Sequence, residues 1–322
     1  MAIDLLNLQP TVISRDLKGK YVLLYGKPKS GKTTAACQFP KALLVAFEKG
    51  YNAIGGVIAQ DVTKWADFKM VLRQLERPEV KDRFDTIIID TISIAWEQCE
   101  TFVCQQNGVQ KIADIPWGGG YTACKKEFEN SLRKITLLGY GVVLICHNSS
   151  RIEKSADGDE MEIIYPDMPK RAAEICNGLV DVIGYIGSEY DANGVQHRYL
   201  YTRETPTLFA GSRFKYLAPK IPFGYNQLVN AIADAIEEAE RVDGVKVVDK
   251  VETKVEEVKD FAAVRVEAME LWQKLIDKNP DNANIILKKV EINMNHKMRL
   301  SEFTEDQVDL LALVVEDMKA ML

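Results

Sequence analysis

The sequence has no C-x-x-C pair, although six cysteines are scattered along its 322 residues, at positions 37, 99, 104, 124, 146 and 176. That spacing argues against a zinc ribbon or a disulfide framework. Most of the six lie inside apolar strand or helix patterns, as buried thiols of a reducing compartment do. No apolar run approaches the roughly 20 residues of a membrane span. Met1 to Pro10 offer no basic stretch followed by a small-residue cleavage site, so no signal peptide is expected and the expected setting is cytoplasmic. Bulk positive charge is also missing. The net charge is −6, and residues 221–322 carry 13 Lys and Arg against 21 Asp and Glu, whereas residues 1–220 carry 28 against 26. An acidic C-terminal third does not attract nucleic acid through its overall field, so any such site must be a local patch on the first two thirds. An apolar content of 47% with 27% charged residues is that of an ordinary globular protein, long enough for one large and one small domain.

What is present starts at Tyr21. The apolar, β-prone run Tyr21–Tyr25 meets Gly26-Lys27-Pro28-Lys29-Ser30-Gly31-Lys32-Thr33-Thr34, the pattern G-x-x-x-x-G-K-T, and an apolar segment from Ala35 to Phe39 reads as the start of a helix. Strand, loop and helix in that order make a phosphate-binding loop. Glycines let the backbone fold around a phosphate, and successive N–H groups and the helix N-terminus point at the anion. Lys32 reaches the β- and γ-phosphates, and the Thr33 hydroxyl takes a position on Mg²⁺. The expected ligands are ATP and Mg²⁺.

Further strands bring more groups to the same edge. Ala42–Phe47 is a continuous apolar run, as in a parallel sheet covered on both faces, and it ends in Glu48. Trp65–Leu75 is an amphipathic helix. Asp85–Asp90 is an apolar strand with Asp90 at its tip, the form of a Walker B strand whose carboxylate serves the Mg²⁺ shell. A helix Thr91–Gln105, a loop 107–120 and a basic helix Thr122–Leu138 follow. Gly141–Cys146 is a fourth buried strand, ending in His147. Residues 149–169 read as a long polar segment with little internal pattern. Lys170–Asn177 is a short helix. Val182–Ile186 and His197–Thr202 are strands around the turn signal Asn193-Gly194. Thr207–Arg213 reads as a strand with a basic end, and Tyr225–Arg241 as a helix. Residues 242–260 alternate Val with charged residues and read as a solvated linker. Periodicity resumes over 261–322, where Thr304-x-x-Gln307 has the form of a capping box.

In an open parallel sheet, ligands bind beyond the carboxyl ends of the strands, so Lys32, Thr33, Glu48, Asp90 and His147 are expected to converge. Their order resembles the RecA-like branch of P-loop ATPases. More specifically, Tyr25-Gly26-x-x-x-x-Gly31-Lys32-Thr33-Thr34, Phe39-Pro40-Lys41, Val45-x-x-Glu48-x-Gly50, Ile89-Asp90-Thr91 and Cys146-His147 resemble the phage-type "AAA domain" family, which includes the Sak-type single-strand annealing ATPases of bacteriophages. The resemblance covers roughly residues 18–240. It implies a RecA-like P-loop NTPase α/β core, taken over residues 1–241, with a mainly parallel sheet and a β-hairpin extension, to which the residue patterns add the charged linker 242–260 and a small helical C-terminal domain 261–322.

By that resemblance Glu48 polarises the attacking water, His147 senses the γ-phosphate, and Arg213 serves the nucleotide of a neighbouring subunit in a ring or filament. It further implies single-stranded DNA as partner, with help from a single-strand DNA-binding protein. The two DNA loops would fall near 106–120 and 148–169. These loops and their edges supply Lys111, Trp117, Tyr121, Arg151, Lys154, Tyr165, Lys170 and Arg171, the cations and flat rings that single strands need. A motor or helicase-loader ATPase of phage replication and a nucleotide-gated interaction protein use the same phosphate loop, and both readings stay open from sequence.

Overall fold

The computed structural model describes residues 13–14, 19–154, 158–248, 260–294 and 296–322. They fall into two compact units, a larger one up to residue 248 and a helical one from residue 260. In the larger unit β1 (Ile13–Ser14) and β2 (Tyr21–Gly26) lead into α1 (Lys32–Ala36), β3 (Ala42–Ala46), β4 (Ala59–Asp61), α2 (Trp65–Leu75) and α3 (Pro78–Arg83). Next come β5 (Thr86–Asp90), α4 (Ile92–Gln106), α5 (Gly119–Leu137), β6 (Gly141–Cys146), β7 (Asn148–Lys154), β8 (Glu160–Pro166) and α6 (Lys170–Leu179). The unit closes with β9 (Val182–Tyr190), β10 (Gln196–Tyr201), β11 (Gly211–Ser212), β12 (Lys220–Pro222), α7 (Tyr225–Asp243) and β13 (Val247–Val248).

The central sheet runs β12-β10-β9-β2-β6-β5-β3-β4, with β11 also on β9. Strands β9, β2, β6, β5, β3 and β4 are mutually parallel, and β10 and β11 run antiparallel to β9. This is the expected mainly parallel α/β sheet with a hairpin extension. The period-2 alternation of each strand feeds two cores. Leu23 and Tyr25 face a cluster with Trp65, Phe68, Trp96 and Phe128 from α2, α4 and α5. Val22 and Leu24 face Ala36 and Phe39 of the α1 segment together with Leu228 and Ile232 of α7. Helices therefore cover both faces, which explains why the strands read as unbroken apolar runs. Strand β2 lies between β6 and β9, so the chain leaves it in one direction and later returns on its other side. The crevice at that switch point is where the phosphate loop sits.

Several sequence expectations change. The helix after the loop spans Lys32–Ala36 rather than Ala35–Phe39, because Gly31 already accepts the first helical bond and the chain passes into turns at Gln38 and Phe39. The polar segment 149–169 is ordered over most of its length. Asn148–Lys154 and Glu160–Pro166 pair antiparallel, Arg151 opposite Ile163 and Ser149 opposite Tyr165. β7 largely faces solvent, and in β8 only the four residues Glu160–Ile163 alternate exposed and half-buried positions, too short a pattern to stand out in a polar segment. Of the acidic tip 157–160, Asp157 lies outside the described residues. The expected strand Thr207–Arg213 pairs only at Gly211–Ser212, since Leu208 instead bridges to Thr205 and Ile164.

Loop 107–120 contains two 3₁₀ turns, Ile112–Asp114 and Pro116–Gly118, and α5 starts earlier than expected, at Gly119. The start of the expected linker is structured: α7 extends to Asp243, and Val247–Val248 pairs parallel with Ile13–Ser14, leaving 249–259 outside the described residues.

The helical unit comprises α8 (Phe261–Lys278), α9 (Asn282–Met294) and α10 (Val308–Lys319) around Leu271, Leu275, Ile286, Val314 and Met318. The Thr304 backbone N–H donates to the Gln307 side chain at 3.1 Å, the capping box read from sequence, and the turn it caps leads into α10. No helix among the described residues is long and apolar enough to cross a membrane.

Candidate functional site

Backbone conformation makes the loop possible. Gly26 has φ +156, and a Cβ there would lie 2.8 Å from the Ile186 carbonyl oxygen of β9. Any side chain at residue 26 would push β2 and β9 apart where the chain leaves the sheet. Gly31 has φ +95, in the region that glycine tolerates and L-residues avoid. Lys32 follows at once and is buried, its ammonium donating to the Gly26 and Lys27 carbonyls at 2.9 Å each. Burial pushes its pKa down and the nearby Asp90 carboxylate opposes that, so the amine is a desolvated cation seeking an anion. Helix α1 has five residues, so the loop N–H groups and Lys32 carry more of any anion binding than its short dipole does.

Thr33 Oγ1 donates to Asp90 Oδ2 at 2.7 Å, joining the loop to the tip of β5. Asp90 is buried, and burial raises its pKa while the Thr33 hydroxyl lowers it and Glu48 raises it further. The tip of β3 is tied to β5 by Phe47 N–H and Glu48 N–H, which donate to the Asp90 carbonyl at 2.7 and 3.0 Å. Glu48 therefore stands beside Asp90. Its Oε2 lies 3.5 Å from His147 Nε2 at the tip of β6. Lys32, Thr33, Glu48, Asp90 and His147 thus meet at one end of the sheet. Two side-chain atoms within this ring, Ser30 Oγ and His147 Nδ1, are buried without a hydrogen-bond partner, a costly state that a polar ligand would relieve.

Asp90 gives a first test. A carboxyl whose folded-state pKa is raised binds protons more readily folded than unfolded. Its contribution is therefore lost as pH rises through the folded pKa, and the ion is a penalty at neutral pH. Asp90→Asn keeps an acceptor for Thr33 and removes that charge. The expected result is an apo melting temperature at pH 7 equal to or a few degrees above wild type, against a fall in nucleotide affinity when Mg²⁺ is present. A thermal melt with and without Mg²⁺ and nucleotide checks both, and a lower apo melting temperature would contradict the sign.

The other expected residues are dispersed. Arg213 lies at the amino end of β9, the opposite sheet edge from the loop. Its guanidinium donates to the Gly178 carbonyl at 2.6 Å and pairs with Asp181 at 3.2 Å. On the hairpin, the Arg151 guanidinium stacks 5.2 Å from the Tyr165 ring centre, and Tyr165 donates to Glu153 at 2.9 Å. Arg171 stacks on Tyr121 at 4.4 Å. Each of these rings therefore has one face covered by an arginine of the same chain. Lys111, Lys154 and Lys170 are exposed. Trp117 is fully exposed and has φ +61, a left-handed conformation at the tip of the 112–118 turns.

Two residues at the site went unrecognised in the sequence. Tyr25, buried at the end of β2, donates its hydroxyl to the Phe209 carbonyl. Arg198 of β10 donates to the Ser30 carbonyl at 3.0 Å. The only sequence signal for Arg198 was its strand, which no pattern placed beside the loop.

Comparison with known proteins agrees with this geometry. The model of the AAA domain family matches residues 18–214, which takes in the loop and all four strand tips. The SPbeta prophage-derived uncharacterized protein YorG of Bacillus subtilis (strain 168) is 30% identical over 336 residues, covering 100% of this chain and 99% of that protein. Among solved structures, the flagellar accessory protein FlaH of Methanocaldococcus jannaschii is 12% identical with a TM-score of 0.36, covering 64% of this chain and 85% of that one. So distant a likeness adds nothing to what the strand order and loop show. With the family model spanning most of the larger unit and the phosphate loop, Walker B strand and neighbouring tips assembled at one sheet edge, the chain belongs to the AAA domain family of P-loop ATPases.

Proposed function

We propose that this protein is an Mg²⁺-dependent ATPase acting on single-stranded DNA in annealing or strand exchange, with the Sak-type annealing proteins as its functional kin. The observation that carries the reading is a shared root. The exposed β7–β8 hairpin begins one residue after His147, and it returns at Asp167, whose N–H donates to the His147 carbonyl at 2.8 Å. Cys146 Sγ donates to the Asp167 carbonyl at 3.1 Å. The far strand of the hairpin is stitched to residues 207–209 by Ile164 and Phe209 backbone bonds. The Tyr25 hydroxyl holds that stitch one residue before Gly26. A change at the γ-phosphate position therefore has a short, bonded route to the hairpin.

The residues present fit a triphosphate: a desolvated Lys32, two glycines that open the cradle, and an orphaned Ser30 hydroxyl. Thr33 and Asp90 offer two oxygens for Mg²⁺, which would take its remaining ligands from phosphate and water. Bound there, the ion would supply charge neutralisation on the phosphates. Lys32 exchanges its two carbonyl bonds for phosphate oxygens. Glu48 orients a water and takes its proton on a carboxylate oxygen as the water attacks the γ-phosphorus, whose bond to the β–γ bridging oxygen breaks with its electron pair leaving on ADP, giving ADP and inorganic phosphate. His147, 3.5 Å from Glu48, stands where the loss of the phosphate can be felt and passed to the hairpin root.

Trp117, Lys111, Arg151, Lys154, Lys170 and Arg171 supply the exposed aromatic and cationic contacts that a single strand requires, with Tyr121 and Tyr165 backing their arginines. The prophage origin of YorG supports a role in phage DNA metabolism, in company with a single-strand DNA-binding protein. Arg213 engaging a neighbour's nucleotide would require release from Asp181 in a ring or filament.

Steady-state ATPase activity with and without single-stranded DNA tests the reading. Turnover is expected to rise about tenfold or more with DNA, and affinity for DNA to fall steeply with salt. The absence of DNA binding at low salt with nucleotide bound would defeat it.

A further inference from the structure

Arg198 owes its place to strand register. In the sheet, Gly26 is level with Ile186 of β9, and Ile186 with Leu200 of β10. Arg198 is two residues from Leu200, so it shares that residue's face and reaches past the end of β2. Leu200 packs in the core formed by the α1 segment and α7, so this face looks toward the loop's exit into α1. The β10 backbone is held at this level from its other side, where Phe223 N–H donates to the Arg198 carbonyl at 2.9 Å. Arg198 Nη1 then donates to the Ser30 carbonyl at 3.0 Å. Gly31 leaves the room for it, since a Cβ there would lie 3.0 Å from that nitrogen and 3.3 Å from the Phe223 ring. Its neighbours on β10 and β12 have carboxylate partners: His197 faces Asp191 at 3.1 Å and Lys220 faces Glu189 at 2.6 Å. Among the described residues no carboxylate pairs with Arg198, and the loop backbone is its partner.

The consequence follows from the planarity of the peptide unit. In a trans peptide the carbonyl of one residue and the N–H of the next point in opposite directions. Holding the Ser30 carbonyl outward on a guanidinium therefore holds the Gly31 N–H inward, toward the concavity where a phosphate would lie. We propose that Arg198 is a positioning residue for the phosphate loop, fixing from β10 the peptide that aims the Gly31 N–H at the bound phosphate. The assignment rests on the nucleotide reading of Gly26–Thr34 and adds to it a residue outside the motif. The bond is made to the loop backbone rather than to the reacting phosphate, so Arg198 is expected to act on binding rather than on the chemical step.

The test has one arm that needs no nucleotide. In the apo protein, Arg198→Ala is expected to speed hydrogen exchange of the amides of residues 27–33 by about fivefold, with Arg198→Lys intermediate. Melting curves of both variants should match wild type, because the side chain is exposed. With nucleotide, Arg198→Ala is expected to weaken ADP and ATP equally, by about fivefold, and to raise KM while leaving saturated kcat within about twofold. Unchanged loop exchange in both variants would overturn the proposal. So would a fall in kcat with ADP affinity intact, which would mean that the guanidinium touches the γ-phosphate itself. If wild-type protein binds no nucleotide, the site reading fails on that result alone, and the exchange comparison still decides whether Arg198 anchors the loop.

Discussion

Replacing Glu48 by glutamine is expected to lower ATP turnover by about 10²- to 10⁴-fold, the range that a positioned general base contributes. Glutamine has nearly the same shape, and the backbone bond from residue 48 to the Asp90 carbonyl stays in place, so the tip of β3 should not move. Lys32, Thr33 and Asp90 are untouched, so affinity for ATP with Mg²⁺ should remain within about twofold of wild type. What is lost is the acceptor for the water's proton. Glu48 is well placed for that role because it lies at the rim, about half exposed, 3.5 Å from His147 and beside the buried Asp90. Asp90 is the other carboxylate at the site, and its bond to Thr33 and its burial suit it to the metal shell rather than to water. Single-turnover hydrolysis with radiolabelled ATP, alongside equilibrium binding, measures both quantities. Wild-type turnover in the variant would show that another group takes the proton.

The second large effect lies in the core beneath the site. Phe128 is fully buried, edge-on to Trp96 at 5.0 Å and near-parallel to Trp65 at 5.7 Å. These rings join α5 to α2 and α4, and α4 begins two residues after Asp90. Phe128→Ala is expected to cost about 3–5 kcal/mol, the transfer energy of the ring plus the cavity left between two rigid indoles. Urea denaturation followed by tryptophan fluorescence should show an earlier midpoint for the larger unit with an unchanged slope. A loss below about 1 kcal/mol would mean that the neighbouring rings close the gap, and that the aromatic cluster is less constrained than its geometry implies.

Legibility followed burial. The buried parallel strands were visible because covering both faces demands unbroken apolar runs, as in Ile87-Ile88-Ile89 and Val142-Val143-Leu144-Ile145. Helix Trp65–Leu75 was visible with its bounds because Trp65, Phe68, Leu72 and Leu75 fall on one face at helical spacing. The β7–β8 hairpin was not, because β7 mostly faces solvent, the alternation in β8 is brief, and the pairing is set by backbone hydrogen bonds that any polar sequence can make. β13 was hidden by its length, two residues within a charged segment.

By itself the sequence determined the phosphate loop, the strands that deliver Glu48, Asp90 and His147, and the expectation that they meet. Each of these depends on local backbone chemistry and on apolar periodicity, which are written residue by residue. Only the tertiary structure decided which groups stand around that loop. Arg198 reaches Ser30 across 168 positions of chain, Tyr25 meets Phe209 across 184, and Arg213 is held at the far sheet edge by Asp181. Those contacts are fixed by strand order and register, and register arises when the whole sheet closes its two cores, a sum over many residues that no local motif carries.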